Sequence, residues 1–314
     1  MSRDAFSHDP QDASDLRDTS TRRSVRQHRP VPSDTEVGRN QVPEAPGRGD
    51  SPETRDQHSS PEERSESPRA HYVRDRAYLL CNSEMHSLKE IGKFRVVAAT
   101  DLAKYAYGGS RERMDKDIRR LTGQSLVTDK TIEISQKKTI RVVTLTKAGH
   151  RLLKKTNQVP DDQPIYHGLV KPREVKHDAD LYRLYQKEVA RIERGGGRPV
   201  RVLLDYELKR NLNQDLALLG PKKDDLDRKG EVAGKHGLQL VDGKIPVPDL
   251  RVEYETHELE LRHVDLELAT RDYRPRAMAA KAAAGFSMYA RSEDASRLRR
   301  VLDEREITAG ILNL

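Results

Sequence analysis

Arginine and lysine crowd into one stretch, RERMDKDIRRL at residues 111–121, and again at QKK, residues 136–138. Arg can grip guanine O6 and N7 with two N–H groups, whereas Lys or Arg at a loop tip neutralises phosphates without reading sequence. Met114, Ile118 and Leu121 recur at i, i+4 and i+7, so a helix here buries those three and leaves Arg111, Arg113, Lys116, Arg119 and Arg120 outside. Ser110 is a good N-cap for it, and a helix N-terminus can hold a phosphate. With Lys137, Lys138 and Arg141 from the hairpin that follows, these are the candidate DNA contacts, Arg111 and Arg113 the first choices for base edges. Two alternatives stay open: a charged helix face is often merely solvated, and Arg119 and Arg120 are spaced to pair with Asp115 and Asp117. His177, Asp178, Asp180, His257 and His263 lack metal-ligand spacing, and Gly195-Gly196-Gly197 fits neither phosphate-loop pattern.

The elements that must position the basic residues can be read around them. Met85, Leu88 and Ile91 give a first helix ending near Gly92; residues 94–98 (FRVVA) make a short strand; Thr100 caps a second helix with Leu102, Tyr105 and Ala106 inward. Gly108-Gly109 turns the chain into the basic helix. Two β-like runs, 126–134 and 139–145, then form a hairpin with a basic tip, and Thr146 caps a closing helix, KAGHRLLKK. This order of elements, over residues 71–155, resembles the winged helix-turn-helix family. The resemblance implies that the third helix enters the major groove of duplex DNA and that the wing touches the flanking backbone.

Residues 156–174, broken by Pro160, Pro164 and Pro172, read as a linker, and residues 175–314 as an α/β domain. Its expected elements are a helix at 175–194, strands at 199–204, 238–241, 249–255 and 259–269, helices at 206–219, 227–236, 274–289 and 293–305, and a final apolar run. Asp249 opens one strand and Glu267 lies late in the next, 18 residues on. Two carboxylates on neighbouring strands before a helix resemble the PD-(D/E)xK, restriction-endonuclease-like core. The resemblance implies that active members hold a divalent metal on the acids and orient water with a lysine two residues after the second. That position here is Ala269, and Lys281 on the following helix is the stand-in. A strand exposes alternate polar residues in any case, and a lysine within AAKAAAG also suits the wet side of a helix, so the reading favours a non-catalytic scaffold.

Bulk properties frame this. Of 314 residues 34% are hydrophobic and 35% charged, with no Trp and one Cys. Residues 1–70 hold 11 Arg against 14 acids, with one aromatic, Phe6, and scattered Val or Leu, the composition of a disordered tail. Residues 71–155 hold 19 Lys and Arg against 9 acids, and residues 156–314 hold 28 of each, so the net charge of +7 comes from the basic segment alone. No apolar run suits a signal peptide or a membrane span, and a single Cys excludes an internal disulfide, which together suggest a bacterial cytoplasmic protein.

The basic segment together with HDADLYRLY, VPDLRVE, VDLELAT and KAAAGFSMY resembles the replication-relaxation family, over residues 71 to about 312. The resemblance implies DNA binding in the maintenance of plasmids or mobile elements. The expectation is therefore α+β architecture, a winged helix followed by a nuclease-like α/β domain, in a regulator of transcription or replication that binds double-stranded DNA and needs no cofactor. A metal-dependent nuclease using Asp249 and Glu267, with Mg²⁺, is the first alternative, and a winged-helix adaptor for a protein the second. A homodimer and a protein partner of the tail stay open.

Overall fold

Alternating side chains fold residues 69–80 into a hairpin that the sequence pattern does not announce. β1 (Arg69–Val73) and β2 (Arg76–Leu80) pair antiparallel around Arg74, whose φ of 53° is left-handed. Tyr78 and Leu80 point into the core. The computed structural model describes residues 67–135, 138–218, 225–270, 273–304 and 310–314. The expected disordered tail thus falls outside the described residues, except that its boundary at 70 moves, because Arg69 and Ala70 belong to β1.

The N-terminal half continues with α1 (Asn82–Gly92), β3 (Val97–Ala98), α2 (Ala99–Ala106), α3 (Arg111–Gly123), β4 (Val127–Ser135), β5 (Lys138–Leu145) and α4 (Lys147–Lys155). Leu88, Ile91, Leu102, Met114, Ile118, Leu121, Leu145 and Leu152 are all fully buried, as their 3.6- and 2-residue periods require. β3, β5 and β4 form one antiparallel sheet in that order. Thr100 lies inside α2 rather than capping it, since Ala98 takes the N-cap position. Gly108 and Gly109, at φ 59° and 90°, make the left-handed turn into α3 at no steric cost.

Residues 156–174 are packed rather than free. The Gln163 amide donates to Val202 O and accepts from Val202 N, both at 2.9 Å, as a strand neighbour would. Tyr166 N donates to Gly92 O and Gly168 N to Leu145 O, each at 2.8 Å.

The C-terminal half runs α5 (Pro172–Arg194), β6 (Arg198–Leu204), α6 (Asp205–Leu218), α7 (Asp225–Lys235), β7 (Leu250–Glu255), β8 (Leu261–Ala269), α8 (Pro275–Ala283), β9 (Ser287–Ala290), α9 (Ser292–Asp303) and β10 (Ile311–Asn313). A five-stranded mixed sheet has the order β10-β9-β8-β7-β6, antiparallel from β6 to β8 and parallel from β8 to β10. Leu250, Val252, Leu266 and Leu268 face the core shared with α5; Ala269, Met288 and Ala290 face Met278 of α8 and Leu298 and Leu302 of α9. Two expectations fail here. The helix 274–289 stops at Ala283, because Gly285 at φ 82° turns the chain and SMYA pairs with β8 as β9. The strand 238–241 is reduced to one bridge, Val241 to Lys244.

The halves expected as separate domains share one core, and the described residues lie in one compact unit. Phe94, between α1 and β3, meets Tyr182 edge-on at 5.2 Å and Tyr185 at 5.3 Å, both on α5. Arg183 of α5 grips Asp101 of α2 with Nε at 3.1 Å and Nη2 at 2.9 Å. Among the described residues no helix is long and apolar enough to cross a membrane.

Candidate DNA-binding face and carboxylate cluster

The basic helix α3 is capped by Ser110, whose Oγ accepts from Arg113 N at 3.4 Å. Arg111, Arg113 and Lys116 are exposed on it; Arg113 and Lys116 pair with no acid among the described residues, and Arg111 only approaches Asp115, at 3.9 Å. The other basic residues of the pattern serve the fold. Arg119 Nε donates to the Asp115 carbonyl at 3.1 Å rather than to its carboxylate. Arg120 pairs at 3.0 Å with Glu84, a fully buried acid of α1. Asp117, the partner its spacing suggested, instead accepts from the Tyr107 hydroxyl at 3.1 Å.

Arg141 belongs to the scaffold as well. Its guanidinium holds Asp129 of β4 through Nε at 3.0 Å and Nη2 at 2.7 Å, and pairs with Asp115 of α3 through Nη1. These hydrogen bonds push its pKa still higher, so it is a permanent cation fixing the β4–β5 hairpin against α3. Lys138 is exposed at the start of β5, opposite Ser135. Lys137 lies outside the described residues. The face left for a polyanion is therefore Arg111, Arg113 and Lys116 along α3, with Lys138 on the hairpin.

The second cluster forms where β7 and β8 run side by side. Asp249 stands one residue before the Leu250–Leu266 pair and Glu267 one after it, so two acids face each other across the strands. Asp249 N donates to Glu267 Oε2 at 3.2 Å, and Leu268 N donates to Asp249 Oδ2 at 2.9 Å. Lys281 of α8 reaches Glu267 Oε2 at 2.7 Å and also donates to Val247 O. The Tyr273 hydroxyl donates to Glu267 Oε1. From α5, His177 sets Nε2 3.4 Å from Asp249 Oδ2 and Nδ1 3.6 Å from Asp178 Oδ1. Ala269 packs with Met278, Met288 and Leu298 on the α8–α9 side of the sheet.

Electrostatics separate the two acids. Burial raises Glu267, the Asp249 charge raises it further, and Lys281 opposes both. Burial also acts to raise Asp249, but the His177 hydrogen bond and charge override it and leave its pKa low. His177 itself goes up to about 10, since Asp178 and Asp249 outweigh the cost of its burial. Tyr273 is pushed up by burial and by the Glu267 charge. An ionised Asp249 thus stands beside a Glu267 whose charge depends on Lys281.

All of Asp249, Glu267 and Lys281 were visible in the sequence, and the fold brings them together. His177 was set aside there because its spacing fits no ligand pattern, and its HDAD context was the only signal it gave. Tyr273 gave none. His257 and His263 only approach Glu258 at 3.7 Å and Asp265 at 3.9 Å, and Asp180 is held by Arg183 and Arg291. Among the described residues no three or more His, Cys, Asp and Glu converge to hold a metal ion.

No family model matches the chain, and no curated protein matches it. Among solved structures, the crystal structure of Bacillus subtilis PadR in complex with operator DNA is similar with a TM-score of 0.21 and 15% identity, covering 48% of this chain and 87% of that one. So slight a likeness defines neither fold nor function.

Proposed function

We propose that this protein binds duplex DNA through a winged helix-turn-helix, with α3 as the reading helix and the β4–β5 hairpin as the wing, and that it regulates transcription, replication or maintenance of a plasmid or mobile element. The observation that carries the reading is the capped N-terminal end of α3, where Arg111, Arg113 and Lys116 stand exposed without a close acid while Arg119, Arg120 and Arg141 are held by the fold. Free Arg side chains at a helix N-terminus suit base edges, and a free Lys suits a phosphate. The positive excess of the chain lies in this half, which supports a polyanion partner. The test is retardation of duplex fragments from the neighbourhood of the gene across a range of salt. Binding that weakens steeply with salt and is lost in Arg111→Ala/Arg113→Ala is expected; no binding at low salt would move the reading to a protein-binding winged helix.

A second reading has its own observation. Like charges directly opposite on neighbouring strands destabilise a sheet, yet Asp249 and Glu267 face each other, held by Lys281 and His177. With α6 and α7 inserted between β6 and β7, the order α5-β6-β7-β8-α8-β9 supports a PD-(D/E)xK-like core, with Lys281 taking the place that Ala269 leaves empty. The crowded carboxylate oxygens and the raised Glu267 fit a hard divalent cation such as Mg²⁺, with Asp249 and Glu267 as its ligands. Such an ion would polarise a phosphoryl oxygen and lower the pKa of water. Lys281, next to Glu267, is placed to orient the attacking water, and His177 holds Asp249 ionised. Mg²⁺-dependent cleavage that disappears in Asp249→Asn while duplex retardation persists is the expected result. Cleavage of equal rate in that variant would remove the reading.

A further inference from the structure

Beside Lys281 the molecule holds a cavity of about 390 Å³ that neither reading uses. Its volume lies within the roughly 300–1,000 Å³ typical of small-molecule sites. Ile245, Pro246, Ala277 and Ala280 supply aliphatic walls, while Lys244, Arg274 and Arg276 outnumber the one acid of the lining, Asp242. Lys244 and Arg274 pair with no acid among the described residues; Arg276 only approaches Asp242, at 3.9 Å, with both side chains largely exposed. Lys281 lines the same cavity and pairs with Glu267 at 2.7 Å, so this one side chain joins the cavity to the carboxylate cluster.

Aliphatic walls with an excess of cations match a ligand that has a flat apolar part and an anionic part, which is the chemistry of a nucleoside phosphate. We propose that this cavity receives one nucleotide of a DNA strand, the base against Ile245, Pro246, Ala277 and Ala280 and its phosphate on Lys244, Arg274 and Arg276, so that the adjoining phosphate reaches Asp249 and Glu267. The assignment rests on the second reading above and names its substrate: a strand end or an unpaired strand, because a base seated between aliphatic walls has left its stack. It also gives the cations of α8 a role distinct from those of α3, which meet an intact duplex.

The experiment uses the full chain with Ca²⁺ in place of Mg²⁺, and follows the anisotropy of a fluorescein-labelled short single-stranded oligothymidylate. Arg274→Ala/Arg276→Ala, both exposed, should weaken its binding about tenfold, since each neutralised phosphate contributes to affinity, and leave retardation of duplex DNA unchanged. Ala277→Trp, which fills the cavity from an exposed helix position, should do the same. Unchanged oligothymidylate binding in both variants overturns the proposal, as does wild-type protein that binds none. Thymidine monophosphate competing as well as the oligomer overturns the strand assignment in favour of a free nucleotide. Failure of the carboxylate reading shows separately, as absence of Mg²⁺-dependent cleavage from a protein whose strand binding still depends on Arg274 and Arg276.

Discussion

Two arginines of one helix illustrate why residue type alone does not define a binding face. Arg113 and Arg120 belong to the same sequence cluster, yet Arg113 is exposed without an ion pair and Arg120 meets Glu84, an acid with no access to solvent. Removing Arg120 leaves a buried carboxylate whose pKa burial already raises. Arg120→Ala is therefore expected to cost about 2 kcal/mol of stability, because it takes from the buried Glu84 carboxylate the cation beside it, read as a lower urea midpoint at constant slope. Arg113→Ala should leave that midpoint in place and weaken specific duplex binding by about 1–3 kcal/mol. Equal unfolding midpoints for the two variants would mean that Glu84 does not need Arg120. A fall in DNA binding confined to Arg120→Ala would move the binding face away from the N-terminal end of α3.

At the scale of elements, close approach decides more than propensity. Gly149 sits in α4, where Ala is the better helix former by roughly 1 kcal/mol, so propensity alone forecasts that Gly149→Ala stabilises. A Cβ there would lie 2.2 Å from the backbone oxygen of Leu126, which leads into β4. The expected result is a loss of about 1–3 kcal/mol, as for overpacking, measured by urea unfolding; a gain would show that α4 can shift away from β4. The same contrast explains what the sequence could reveal. α3 was legible because Ser110, the period of Met114, Ile118 and Leu121, and Gly109 all agree. β9 was not, because KAAAGFSMYA reads as continuous helix until Gly285 adopts its positive φ, and the four residues of SMYA are too few to carry a period. The β1–β2 hairpin hid behind an Arg74-Asp75 turn without glycine. Of the carboxylate cluster, Asp249 and Glu267 could be placed from strand pairing, whereas the approach of Lys281, Tyr273 and His177 depends on how α5 and α8 cross the sheet, which no local pattern encodes.

Across the whole molecule, the half proposed to bind DNA and the carboxylate half meet on α5. Val175 packs with Val96 and Val142 of the N-terminal half, His177 reaches Asp249, Tyr182 lies against Phe94, and Arg183 holds Asp101. A core that runs through both halves is expected to open as one unit. Tyr182 is fully buried at this junction, and Tyr182→Ala should cost about 3–5 kcal/mol, as for other large aromatic deletions. The sharper expectation concerns where that loss is felt. In native-state hydrogen exchange, amides of α3 and amides of β7 and β8 should lose protection together in the variant, and urea unfolding of the wild type should be a single transition by circular dichroism and tyrosine fluorescence. Retained protection in α3 while β7 and β8 exchange freely would show two independent folding units and cut the link between the proposed duplex-binding helix and the carboxylate pair. Coincident loss would mean that α5 fixes the two sites in one frame, so that substitutions in its buried face disturb DNA retention and strand binding in the same proportion.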